Sequence, residues 1–102
     1  MSWYDYIFCF LGGMVLANAV PHLVYGVCGD RFPTPFARPP GKGLSSPTVN
    51  VLWGLLNLVL GYVFIRLGKV SGDDDLKMGV CFAGVAVMSV VGSVVFAKKE
   101  EV

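Results

Sequence analysis

The placement of charge constrains this chain more than any other feature. No Asp, Glu, Lys or Arg lies between Asp5 and Asp30, between Lys42 and Arg66, or between Lys77 and Lys98, leaving charge-free gaps of 24, 23 and 20 residues. A helix of about 20 apolar residues covers the hydrocarbon thickness of a bilayer, so each gap is long enough to cross one. The expectation is an all-α membrane protein with three transmembrane helices and a Pro/Gly-rich loop between helices 1 and 2. Residues 1–102 then form a single membrane domain, with helix 1 over 3–27, the loop over 28–46, helix 2 over 47–67 and helix 3 over 76–97.

Composition points the same way and narrows the function classes. Hydrophobic residues make up 55% of the chain and glycines number 13, whereas these classes together reach roughly 45–50% in a soluble domain. A soluble enzyme fold, a secreted disulfide scaffold and a disordered tail all conflict with that balance. A formal net charge of +1 leaves no basic surface for nucleic acid. Cys9, Cys28 and Cys81 show no Cys-x-x-Cys pair and no zinc spacing. Cys9 and Cys81 read as small buried hydrophobes, and only Cys28, at a helix end, is placed to react. Ala17-Asn18-Ala19 resembles a signal-peptide cleavage pattern, but residues 1–29 contain no Lys or Arg and the apolar run continues to Val27, so a full span is expected.

Local signals mark the helix ends. Ser2 with Asp5 three residues on forms a capping-box pattern, and Trp3, Tyr4 and Tyr6 suit the headgroup region. Pro21 removes a backbone donor inside helix 1, predicting a kink, with Asn18 the nearest group to re-satisfy the freed carbonyl of Ala17. Five of the six prolines lie at 33, 35, 39, 40 and 47, so residues 28–46 are not helical, and Phe32 and Phe36 suggest a segment lying on the bilayer or folded over the bundle mouth. Ser46-Pro47 reads as N-cap and first-turn proline of helix 2. Asp73-Asp74-Asp75 is an acidic turn suited to cap helix 3.

The first loop and C-terminus hold Arg31, Arg38, Lys42, Lys98 and Lys99, against Arg66, Lys69 and Lys77 on the other side. That bias puts the first loop and C-terminus in the cytoplasm and the N-terminus outside. Arg31, Arg38 and Lys42 are candidates for contact with anionic lipid headgroups. Gly41-Lys42-Gly43-Leu44-Ser45-Ser46 departs from the phosphate-loop pattern and follows no strand.

Threading also puts the polar residues of the spans in one leaflet. Asn18, His22 and Tyr25 share one side of helix 1, and Asn50, Gly54, Asn57 and Gly61 form a stripe on helix 2 with Trp53 beside it. Helix 3 adds Ser89 and Ser93, with Gly79, Ala83, Ala86, Ser93 and Ala97 as a small-residue face. Such stripes serve helix packing in membranes. The alternative is a small polar pocket of Asn18, His22, Tyr25, Asn50, Trp53 and Asn57 roofed by the loop, since polar groups at membrane depth mark solute and proton routes. His22 is the only histidine, and a metal or haem role would require a second ligand. No Ser-His-Asp set, no paired intramembrane carboxylates and no nucleotide fingerprint is visible, so nothing argues for catalysis, and neither a cofactor nor a metal is expected.

The strings Asn18-x-x-Pro21-His22-x-x-x-Gly26-x-x-Gly29, Phe32-Pro33-Thr34-Pro35-Phe36 and Ser45-Ser46-Pro47-x-x-Asn50-x-Leu52-Trp53-Gly54-x-x-Asn57 resemble a small uncharacterised bacterial integral membrane protein family. The resemblance covers about residues 13–62 and brings no established activity, substrate or cofactor. It implies a protein of the bacterial cytoplasmic (inner) membrane. The expected partners are the lipid bilayer together with other copies of the chain, as a homo-oligomer, or a larger membrane partner to which it is an accessory subunit. Two further expectations are a transport module for an ion or small solute, and a redox or haem-binding subunit using His22.

Overall fold

The computed structural model describes residues 2–40 and 42–99. Helix α1 runs Trp3–Val27, α2 runs Pro47–Leu67 and α3 runs Asp75–Val95, the last continuing into a short 3-10 turn over Phe96–Lys98. All three are long and apolar enough to cross a membrane, and among the described residues there is no β-strand, only one antiparallel bridge between Phe32 and Ser45. The protein is therefore an all-helical membrane protein, and its helices form a flat row with α1 in the middle. α1 packs on α2 along one side and on α3 along the other, while α2 and α3 do not meet.

Glycine sets both interfaces, because only a side chain reduced to hydrogen lets helix backbones approach closely. Along α1 and α2 the partners are Gly26 with Val51, Leu23 with Gly54, Leu16 with Gly61, Gly12 with Ile65 and Cys9 with Gly68. Each step forward on α1 is a step back on α2, so the register is antiparallel and constant. Gly54, Gly61 and Gly68 recur every seven residues, opposite Leu23, Leu16 and Cys9 at the same spacing. A seven-residue repeat falls just short of two helical turns and keeps one seam face to face when the pair wraps left-handed.

α3 lies parallel to α1 and touches it differently. A Cβ on Gly13 would run into the carbonyl oxygen of Cys81, and a Cβ on Gly84 into that of Phe10, so backbone meets backbone at this point. The small-residue face expected on α3 is elsewhere: Gly79, Ala83, Ser93 and Ala97 are exposed, and a Cβ at Gly79 would meet nothing. Gly84 takes that role because it stands at the point of closest approach.

The start of α1 also departs from the capping-box expectation. Ser2 makes no side-chain cap; its carbonyl accepts from the Asp5 amide at 3.0 Å. The Asp5 carboxylate turns inward instead, and Oδ2 lies 3.6 Å from Nζ of Lys77, both side chains being buried. Lys77 Nζ also donates to the carbonyl of Lys69 at 3.4 Å, so one ammonium ties α1, α3 and the turn between α2 and α3. The competing attraction is electrostatic: a buried carboxylate beside a buried ammonium is held there by their mutual field.

α2 starts at Ser46, whose Oγ accepts from the Val49 amide at 3.2 Å, followed by Pro47 in the first turn. α3 starts at Asp74, whose Oδ1 accepts from the Lys77 amide at 3.0 Å. α1 and α2 end alike. Asp30 N–H bonds the Tyr25 carbonyl and Gly29 N–H that of Gly26; Val70 N–H bonds the Ile65 carbonyl and Lys69 N–H that of Arg66. This C-cap needs one residue in the left-handed region, supplied by Gly29 at φ 79° in the first case and by Lys69 at φ 55° in the second. Gly68 sits one residue earlier with ordinary helical φ, spared a side chain because Cys9 and the Asp5 carbonyl press against it.

Candidate functional site

At the end of the bundle where α1 finishes and α2 begins, the first loop folds back over the helices. Phe32 and Ser45 exchange backbone hydrogen bonds, at 3.4 Å from the Phe32 amide and 3.0 Å from the Ser45 amide. Thr34 and Ser45 hydroxyls bond at 2.6 Å, and the Phe36 amide donates to Thr34 Oγ1 at 3.1 Å. Pro33, Thr34 and Phe32 are buried by this fold-back, while Phe36 stays exposed, edge-on to Trp53. Gly43 is obligatory in the loop because a Cβ there would strike the Arg38 carbonyl.

One side chain holds the loop to the helices. Asn50, fully buried in the first turns of α2, donates through Nδ2 to the carbonyls of Phe32 (2.9 Å), Ser46 (3.0 Å) and Ser45 (3.2 Å). Three carbonyls around one nitrogen assign that atom as the amide NH2, so Oδ1 is the atom facing His22, 2.7 Å from Nδ1. An amide oxygen only accepts, hence Nδ1 of His22 carries a proton and donates. The position left for chemistry on this ring is Nε2.

Below this lies a second amide pair. Asn18 Nδ2 donates to Asn57 Oδ1 at 3.2 Å, and Asn57 Nδ2 donates to the Trp53 carbonyl at 2.8 Å. Asn18 thus spans the α1/α2 seam rather than serving the Ala17 carbonyl above Pro21, because Asn57 opposite it offers a better-aimed acceptor. α1 is continuous through Pro21.

His22, Asn18 and Trp53 are walls of a cavity of about 320 Å³, completed by Pro33, Thr34, Pro35 and Pro40 of the loop, by Val95 of α3 and by Phe96 of the 3-10 turn that follows it. His22 is only 1% exposed, edge-on to Phe32, Trp53 and Phe96 at ring distances of 5.3, 6.4 and 6.0 Å. The indole N–H of Trp53 is buried and meets no acceptor among the described residues. Among the described residues no charged side chain lines the cavity. A groove of about 380 Å³ between α1 and α3 shares Asn18 and Phe96 with it and is otherwise lined mainly by apolar and small residues, Val20, Pro21, Val85 and Met88 among them.

Of the residues singled out in the sequence, Asn18, His22 and Trp53 face this cavity, while Asn50 and Asn57 stand behind them as hydrogen-bonding supports. Tyr25 does not join: it stacks on the outer side of Phe32 at 4.5 Å and is partly exposed. Ser89 and Ser93 bond their own helix, to the carbonyls of Val85 and Val90. Arg31, Arg38 and Lys42 are exposed on the loop. Among the described residues no three His, Cys, Asp or Glu side chains cluster in a metal-binding arrangement. Sequence reasoning expected the proline-rich loop as a roof but missed Thr34 and Phe96. Thr34 between two prolines was the available signal, a hydroxyl in a segment with few donors.

No protein-family model, curated protein or solved structure matches this chain.

Proposed function

We propose that the chain is a small protein of the bacterial cytoplasmic membrane that acts through contact with other membrane helices, as a homo-oligomer or as the accessory subunit of a larger assembly. One observation carries this reading: among the described residues α3 is held by α1 alone and leaves Gly79, Ala83 and Ala97, together with Leu76, Phe82 and Val90, exposed without a partner. Small residues on an uncovered membrane helix favour close approach by another helix. The bacterial setting rests on the resemblance of the loop and helix strings.

The orientation is proposed from charge. With Lys77 buried against Asp5, the solvated cations are Arg31, Arg38, Lys42, Lys98 and Lys99 on one side against Arg66 and Lys69 on the other, supporting a cytoplasmic first loop. There Arg31, Arg38 and Lys42 meet anionic headgroups, each contributing about 1 kcal/mol. A solute route through one chain is less well supported, since beyond Asn18 and Asn57 the α1/α2 seam closes on Leu16 against Gly61 and Phe8 against Phe64.

The test is native mass in lipid nanodiscs combined with cysteine cross-linking. Ala83→Cys on α3 is expected to cross-link to a second copy or to a discrete partner chain, and Leu58→Cys on the outer face of α2 is not. A monomeric mass with no cross-link at Ala83→Cys overturns the proposal.

A further inference from the structure

The cavity under the loop and the groove beside it have the division of labour of a lipid site, and we infer that they bind an uncharged lipid with a hydroxyl or carbonyl head. The head lies beneath Pro33, Thr34 and Pro35, and the apolar chain lies along the α1/α3 groove. This goes beyond helix-to-helix contact and does not depend on it.

Four observations converge on this ligand. First, the polar equipment is complementary: Trp53 offers a buried N–H that meets no acceptor among the described residues, and His22, 1% exposed, has Nδ1 committed to Asn50 while Nε2 makes no hydrogen bond among the described residues. A buried donor that meets nothing costs free energy that a ligand acceptor restores. With its Nδ1 proton held by Asn50, the uncharged form of His22 presents Nε2 as an acceptor. A hydroxyl is chemically matched to either group, as donor to Nε2 or acceptor from the indole, whereas a carbonyl is matched to the indole alone. Second, among the described residues the lining carries no charge, so a phosphate or ammonium head would be taken out of water without a counter-ion from them. Third, the walls are flat and apolar elsewhere, being the rings of Trp53 and Phe96 and of Pro33, Pro35 and Pro40, which suits a neutral head excluded from water. Fourth, the groove that shares Asn18 and Phe96 with the cavity is mainly apolar and lies between two spans, giving a chain a lateral path from the bilayer.

The hydroxyl-or-carbonyl chemistry is shared by isoprenoid quinones and quinols and by diacylglycerols, and one experiment separates them. Trp3→Phe leaves Trp53 as the only tryptophan, so its fluorescence reports the cavity. Decyl-substituted benzoquinone, a short-chain probe that quenches indole emission on contact, is titrated into this variant in nanodiscs. Saturable quenching is expected. Displacement by the reduced quinol but not by dioleoylglycerol identifies the quinone class, and displacement by dioleoylglycerol identifies the diacylglycerol class; either supports the site.

Val95→Phe fills the cavity from its α3 wall without touching the Asn50 bonds and adds no tryptophan to the signal. It is expected to weaken probe binding tenfold or more with the fold intact by circular dichroism. His22→Phe, which removes the acceptor, is expected to weaken the quinol more than the quinone. Quenching that rises linearly with probe in the lipid, is unchanged by Val95→Phe, or is competed equally by phosphatidylglycerol overturns the inference. None of these readings depends on the native mass, so failure here and failure of the oligomer proposal are distinguishable.

Discussion

The two sides of α1 hold their neighbours by different means. Against α2 the contact is a repeating seam in which glycines on one helix receive side chains from the other, reinforced by Asn18–Asn57 and His22–Asn50. Against α3 the contact is a single backbone crossing at Gly13 and Gly84, with the Asp5–Lys77 pair at one end and Phe96 beside His22 and Phe32 at the other. A seam spreads stabilisation over many small terms, and a crossing concentrates it in a few. Damage should therefore be graded on the α2 side and abrupt on the α3 side.

The largest effect is expected at the ion pair. Lys77→Met leaves Asp5 buried without its counter-charge and should cost about 3–5 kcal/mol in reversible unfolding from mixed micelles. Adding Asp5→Leu to that variant should recover most of the loss, because the carboxylate is then no longer stranded. Equal losses in the single and double variants would mean that packing rather than charge holds this end.

Next comes a comparison of two alanine substitutions. Gly84→Ala pushes a methyl into the Phe10 carbonyl, which cannot yield without moving the helix, and should cost about 2–3 kcal/mol. Gly61→Ala meets Cγ and Cδ2 of the Leu16 side chain, which can shift where a carbonyl cannot, and should cost about 1–2 kcal/mol, less than Gly84→Ala. A reversed order in the same unfolding assay would break the seam-and-crossing distinction.

Asn50→Leu should cost about 2 kcal/mol, since it strands the His22 Nδ1–H and removes the side-chain donor shared by three loop carbonyls, which keep only their backbone bonds. Its signature is local: amide exchange at Phe32 and Ser45 should accelerate more than exchange in α3. The smallest effect has the opposite sign. Lys69→Gly relieves a left-handed conformation in a residue bearing Cβ and should stabilise by about 1 kcal/mol, provided the Lys69 carbonyl keeps its bond to Lys77.

Three spans were legible from the charge-free gaps alone, because moving a charge into hydrocarbon is costly enough to leave its mark on any membrane sequence. Ser46-Pro47 and Asp74 were legible as helix starts, since capping is satisfied by the nearest few residues. The Ser2–Asp5 box was misleading for the same reason: a local pattern was outbid by Lys77, 72 positions away in the chain and neighbouring in space. Helical periodicity put Asn18, His22, Asn50 and Asn57 on shared faces but did not say which amide meets which, and it placed Tyr25 with them although that ring turns to the outside of Phe32.

By itself, then, the sequence determined that the chain is three apolar helices joined by one proline-rich and one acidic connection, because solvation and backbone satisfaction act on each segment separately. The tertiary structure decided the order of helices in the row, the glycines that touch backbone, the tautomer of His22 and the cavity bounded by loop and helices. Each of these depends on distances between residues far apart in the chain, and hydrophobicity within a segment carries no record of such distances.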